Sequence, residues 1–178
     1  LTNQVLLKKI FSADEFDLKK QADGFLNMKK NTFIFRKAES KDLQAIGAIH
    51  RKHFGAIGET VQSAKQLFQP TNQNVSLYVA TTAKGELVGY GQVIHGKRTY
   101  LSWGGIAPKF YGQGVGAFML EKALRDIRAK GGKEVNLDTR NRFKHALAVY
   151  LRFDFDIIGT WIQSDGELMV RLRKKLHP

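Results

Sequence analysis

No cysteine occurs among the 178 residues, which excludes disulfides, thiolate nucleophiles and cysteine-ligated metal sites together. The absence fits a reducing, cytoplasmic setting. Proline is nearly as scarce, at three residues, and with no low-complexity tract nothing reads as a long disordered linker. No apolar run approaches the ~18 residues of a membrane-spanning helix. Val5-Leu6-Leu7 is broken at once by Lys8-Lys9, so the leading stretch lacks the apolar centre of a signal peptide. Acidic residues are the remaining shortage: 16 Asp and Glu stand against 29 Lys and Arg, a formal charge of +13. So few acids make no obvious pocket for a polycation. A field of that sign favours polyanions, such as nucleotide cofactors, nucleic acid, ribosomal surfaces or anionic membranes. A solvated basic surface explains it equally well, and composition leaves the two open.

What is present describes one globular domain with a core. Hydrophobic residues make up 43% and charged residues 25% of the chain, ordinary values for a domain of this length. Residues 1–31 read as a partly helical extension, with a capping-box pattern at Ser12-Ala13-Asp14-Glu15 and a stop at Asp23-Gly24. From residue 32 the periodicities order the elements. A strand covers Thr32 to Arg36. A helix capped by Ser40 carries Leu43, Ile46 and Ile49, and a second short helix carries Val61 to Phe68. Three strands follow, around Val75–Val79, Leu87–Ile94 and Tyr100–Ala107, joined by tight turns as an antiparallel meander. An amphipathic helix after Gly116, a strand Glu134–Thr139, a helix through Phe143–Leu151 and strands Phe155–Ile158 and Leu168–Leu172 complete the set. The expected fold is α/β: a mixed sheet in which an antiparallel meander is followed by a parallel βαβ unit.

The stretch Gly104-Gly105-Ile106-Ala107-Pro108-Lys109-Phe110-Tyr111-Gly112-Gln113-Gly114-Val115-Gly116 carries the most information. A strand enters a turn with three alternate glycines, and a helix begins at once. Small residues admit a ligand close to the backbone, and the first N–H groups of a helix have no partner within it. Together they form an anion cradle suited to a pyrophosphate; a plain tight turn also uses such glycines. Gly104-Gly105 inside an apolar strand points to a bulge or a close approach. A bulge there would split this strand from its parallel neighbour and open a gap for a long, thin ligand.

These residues, the order of elements and the later Ala146-x-x-x-Tyr150 with Phe155 resemble the GNAT superfamily of acetyltransferases over residues 32–175. The resemblance implies a domain over 32–178 with helices on both faces of the sheet, and acetyl-CoA as co-substrate without a metal. It also implies that Gly112, Gln113, Gly114, Val115 and Gly116 hold the pyrophosphate and that Ile106 and Ala107 pair with the pantetheine arm. Three residues depart from the family pattern: Tyr111 stands where Arg or Gln is usual, Phe143 replaces an Asn that contacts the arm, and Asp154 replaces a Gly.

The same resemblance makes Tyr150 the acid that protonates the CoA thiolate, although its spacing also suits a core residue. Asp138, twelve residues earlier, is the candidate base; pairing with Arg140 or Lys133 is its alternative role. Glu59 is a second candidate. His50 and His53 stand three apart without a completing ligand, so no metal is expected. Trp103 and Trp161 suit either an acceptor pocket or the core. The reading is an N-acetyltransferase acting on a primary amine, such as a protein N-terminus, an aminoacyl group or a small amine. A ribosome- or RNA-associated acceptor fits the charge. A GNAT-like module that binds CoA or nucleic acid without turnover is the competing class, with no membrane association in either.

Overall fold

The structure, a computed structural model, describes residues 33–54 and 74–176. The expected extension 1–31, the Val61–Phe68 helix and Glu59 lie outside the described residues. Within them are strands β1 (Phe33–Lys37), β2 (Val75–Thr82), β3 (Leu87–Ile94), β4 (Thr99–Ile106), β5 (Glu134–Arg140), β6 (Asp156–Ile162) and β7 (Leu168–Lys175). The helices are α1 (Leu43–Phe54), α2 (Val115–Ala129) and α3 (Lys144–Arg152). The strands form one seven-stranded sheet in the order β1-β2-β3-β4-β5-β7-β6. The β4–β5 pair is parallel and every other pair antiparallel. The expected meander and parallel βαβ unit are therefore both present.

Alternation along the strands sends apolar side chains to both faces, and each face is covered by helix. On one, Ile46 and Ile49 of α1 pack on Leu77, Val79 and Tyr90. On the other, Leu120, Ala123, Leu124 and Ile127 of α2 and Leu147, Ala148 and Leu151 of α3 bury Val135, Leu137, Val170 and Leu172. Fully buried side chains of this size contribute ~1.5–3 kcal/mol each, so the two cores fix the sheet between them. No described helix is long and apolar enough to cross a membrane.

The helix starts show where local chemistry overrides pattern. Ser40 does not cap α1. A 3₁₀ turn, Ser40–Asp42, precedes the helix with Glu39 in the capping position. Asp42 accepts the Glu39 backbone N–H at 2.7 Å and the Arg36 guanidinium at 2.6 and 2.8 Å. That carboxylate is nearly buried, and the Arg36 hydrogen bonds hold it below the usual carboxylate range. It ties β1 to the start of α1.

Strand β6 starts one residue later than its pattern suggests. Phe155 is fully buried and its N–H bonds back to the Tyr150 carbonyl at 3.1 Å. The chain reverses there through Asp154, whose φ of +57° is the only positive value among the described non-glycine residues. β6 forms one edge of the sheet, and its register with β7 slips between Ile157 and Gly159.

Asp154→Gly is therefore expected to stabilise the protein. It relieves ~1–2 kcal/mol of left-handed strain against ~0.5–1 kcal/mol for glycine's freedom in the unfolded chain. The contact with Lys174, at 3.7 Å from a carboxylate 84% exposed, offers little to lose. A denaturant midpoint that rises by the equivalent of ~0.5–1 kcal/mol checks this; a fall would mean that the Asp154 side chain holds the turn.

Candidate active site

Strands β4 and β5 pair only at Thr99–Val135, Tyr100–Asn136 and Leu101–Leu137, and then part. The cause lies on the other side of β4. Between the pairs Gly91–Gly104 and Val93–Leu101, β4 has two residues, Ser102 and Trp103, against the single Gln92 of β3. This one-residue bulge bends β4 away from β5. The expected bulge at Gly104-Gly105 thus sits slightly earlier, and the glycines have another task. A Cβ on Gly105 would lie 2.7 Å from His53 Cδ2 and 3.1 Å from Ile49 Cγ2. Only the bare backbone lets the end of α1 lie against β4.

Past the bulge, the Ala107 N–H bonds to the Val88 carbonyl at 2.8 Å. Backbone groups alternate along an antiparallel ladder, so those of Gly104 and Ile106 point away from β3, into the gap. The Ile106 carbonyl receives His53 Nε2 at 2.8 Å. Ala107 departs from expectation: its N–H goes to Val88 and its carbonyl accepts the Phe110 N–H at 2.8 Å. It holds the turn, and the open edge belongs to Gly104 and Ile106.

The strand then enters a 3₁₀ turn, Pro108–Phe110, and the glycine loop. Gly112 and Gly114 have φ of +73° and +78°, and Gly114 caps α2 without any side-chain bond. The first intrahelical bond is Phe118 N–H to the Gly114 carbonyl at 2.9 Å. The N–H groups of Val115, Gly116 and Ala117 consequently have no partner within the helix. A Cβ on Gly112 or Gly116 would meet nothing within 4 Å, so the cradle opens outward. Buried Val115 packs on Ala80, Val88 and Met119 and fixes the loop from beneath. Gln113 donates from Nε2 to the Lys109 carbonyl at 3.0 Å and braces the turn.

The mouth of the gap is aromatic. Tyr111 is 55% exposed, and its hydroxyl lies 3.3 Å from His53 Nε2. Phe143, just before α3, meets Phe54 of α1 edge-on at 6.3 Å, with the Arg142 guanidinium 5.3 Å from its ring. That contact links the end of β5 to the helix lying on β4. The two histidines do not converge. His50 bonds through Nδ1 to the buried Tyr90 hydroxyl, and His53 to Ile106.

Tyr150 and Asp138 sit over opposite faces of the sheet. Tyr150, on α3, packs against the larger core with its ring 5.8 Å from Phe155. Burial pushes its phenol up to about 12, and among the described residues none hydrogen-bonds its hydroxyl. On β5, Val135 and Leu137 face that core, so alternation turns Asp138 to the side on which α1 lies. Its carboxylate accepts Arg171 Nε and Nη2 at 2.8 and 3.0 Å. The ion pair thus forms with the cross-strand neighbour in register, whereas Arg140 reaches Asp165 and Glu167. Arg171 also lies over Trp161 at 4.7 Å. Burial and then the Asp138 carboxylate hold the Tyr100 phenol above its usual range. Sequence reasoning missed this Tyr100–Asp138–Arg171 cluster, which only strand pairing assembles. It also missed the contact of His53 with the strand edge, for which spacing on α1 gave the one signal.

Comparison with known proteins supplies the context. The acetyltransferase (GNAT) domain model matches residues 37–176. Among solved structures, Ard1 from Thermoplasma volcanium superposes with a TM-score of 0.71 at 18% identity, over 82% of this chain and 99% of that one. The ribosomal-protein-S18-alanine N-acetyltransferase from Escherichia coli gives 0.68 at 18% identity, over 81% and 94%. The paia N-acetyltransferase from Thermoplasma acidophilum in complex with coenzyme A gives 0.67 at 13% identity, over 82% and 99%. No curated protein sequence matches the chain.

Proposed function

The chain belongs to the GNAT family of acetyltransferases, and from that membership and the split sheet we propose that it transfers an acetyl group from acetyl-CoA to a primary amine. One observation carries the reading: the gap between β4 and β5 runs from a strand edge at Gly104 and Ile106 that has no strand partner among the described residues, only the His53 ring on the Ile106 carbonyl, into an amide-lined, outward-opening loop. Few ligands need both features. A pyrophosphate suits the N–H groups of Gly112 through Gly116 at the α2 terminus. An arm with two amides suits the strand edge, which offers it the hydrogen bonds of a missing strand. A structural neighbour in complex with coenzyme A supports the same ligand.

In this reading the pyrophosphate lies in the loop, and the pantetheine arm bonds to Ile106 and Gly104 on its way to the apex of the gap. Phe143 gives the arm an apolar wall in place of an amide side chain. Tyr111 flanks the loop without adding a positive charge, so phosphate binding rests on backbone amides. Tyr150, protonated at neutral pH as any phenol with a pKa near or above ~10 is, donates its proton to the departing thiolate. Asp138, fixed by Arg171, lines the side from which the acceptor enters. Acyl transfer then requires the amine to reach the thioester from the α1 side while Tyr150 serves the sulfur from the α3 side. The acceptor belongs to the primary amines. A macromolecular one fits the charge of +13, and one structural neighbour is named for a ribosomal protein's alanine.

Acetyl-CoA at ~100 times its dissociation constant is expected to add ~2.7 kcal/mol of stability, and Gly114→Glu to abolish that increment by setting a carboxylate in the cradle. Any side chain at φ +78° strains the loop, so the ligand-induced increment in melting is the readout. An unchanged wild-type melting temperature with acetyl-CoA removes the proposal.

Tyr150→Phe keeps the packed ring and loses only the hydroxyl. Fold and acetyl-CoA binding should persist while turnover falls ~10²–10⁴-fold, measured as thiol release with alanine-terminated peptides and nourseothricin as acceptors. Wild-type rates would return Tyr150 to the core, and acetyl-CoA binding without turnover on any amine would favour a non-catalytic module.

The charge separates large acceptors from small ones. If the amine is presented on RNA or a ribosome, its apparent KM should rise steeply between ~50 and ~200 mM salt, because neutralised phosphates release counterions. The KM for acetyl-CoA, held mainly by amides, should change less. Two shallow slopes would turn the search to small amines.

A further inference from the structure

Acyl transfer to an amine needs a base, because an α-amino group with a pKa of ~7.7–8.0 is largely ammonium at neutral pH. Both oxygens of Asp138 are already engaged by Arg171. We propose that the base is His53, a role that rests on the acetyl-transfer reading above.

The imidazole comes from the last turn of α1 and lies directly on the main chain of β4, where Gly105 leaves space that a Cβ would fill at 2.7 Å. Its Nε2 is 2.8 Å from the Ile106 carbonyl. A carbonyl can only accept, so Nε2 carries the hydrogen and Nδ1 of the neutral ring holds a basic lone pair. Among the described residues no group bonds to Nδ1. The ring is thus oriented through one nitrogen and, among the described residues, unbonded at the other, the arrangement in which an imidazole works as a base. It stands at the strand edge proposed for the pantetheine arm, on the side of the sheet that Asp138 faces.

The ring has neighbours on the glycine loop, β4 and α1. From the glycine loop, the Tyr111 hydroxyl is a second, longer partner of Nε2 at 3.3 Å. From β4 the bare backbone at Gly105 and the Ile106 carbonyl meet the ring. On α1 itself His50 is engaged with Tyr90 of β3, and Arg51 and Lys52 lie exposed. The His53 side chain is half-buried, so a captured proton can leave to solvent.

The step balances. The acceptor ammonium gives one proton to Nδ1, and the freed amine forms the C–N bond as the C–S bond breaks. The thiolate takes the Tyr150 proton, and the second proton lost from nitrogen restores that phenol through solvent. The imidazolium passes its proton to water, so each turnover yields the amide, the free thiol and one proton.

The test uses His53→Gln, whose amide N–H can still reach the Ile106 carbonyl but takes up no proton, beside His53→Ala with and without added imidazole. Acetyl-CoA affinity is measured by calorimetry, and kcat/KM is followed against pH with a peptide ending in a free alanine amine. His53→Gln should bind acetyl-CoA within about twofold of wild type and lose ~10²–10³-fold in turnover at neutral pH. That deficit should shrink as pH rises past the amine's own pKa of ~8, where no base is needed. Added imidazole should partly restore His53→Ala. A deficit constant across pH, or loss of acetyl-CoA binding in step with activity, would make His53 a brace for the strand edge and overturn the base role. Failure of the wild type to bind acetyl-CoA would instead sink the underlying acetyl-transfer reading.

Discussion

One extra residue in β4 governs the architecture around the candidate site. Opposite Gln92 the strand holds both Ser102 and Trp103, and that mismatch bends it out of register with its parallel neighbour after Leu101. A parallel pair that separates in mid-sheet leaves unpaired N–H and C=O groups, which cost free energy unless something bonds to them. The protein tolerates this because both flanks are rigid. Val115 and Met119 pack beneath the loop after β4, and β5 pairs over its full length with β7. The edge groups without a strand partner are therefore held at fixed spacing, with His53 on one of them, the Ile106 carbonyl.

The two faces of the sheet divide the labour. The α2–α3 face carries the larger core, and burial there raises the Tyr150 phenol above its usual range. The α1 face is more polar toward β5 and β7, where Tyr100, Asp138, Arg171 and Trp161 form a connected cluster. A gap between two such faces lets one ligand meet a partly buried phenol on one side and a charged approach on the other. That separation follows from strand alternation alone: neighbours Leu137 and Asp138 must point to opposite sides.

Much of this was legible in the sequence. The glycine loop was legible as a turn into a helix, and the positive φ of Gly112 and Gly114 gives the reason for glycine at both positions. Leu87–Ile94 matches its strand residue for residue, since both ends are set by turn residues. What stayed hidden depends on partners distant in sequence. The bulge position is a property of β3 against β4, so it could not be read from the glycines of β4. The start of α1 was misread because Ser40 has the right chemistry for a cap, while the decisive group, Asp42, answers to Arg36 in another element. Arg171 could be recognised as the partner of Asp138 only once β5 and β7 were in register.

The slip between Ile157 and Gly159 has its own consequence for life in a crowded solution. β6 ends the sheet, and it carries Ile158 and Ile162 exposed to 42% and 65%. A straight border of that kind would be a template on which another chain could lay down a further strand. The slip breaks the even spacing of donors and acceptors that such a strand would need. A single misplaced residue thus makes the β6 edge, with its exposed isoleucines, a poorer template for a further strand than a straight border would be.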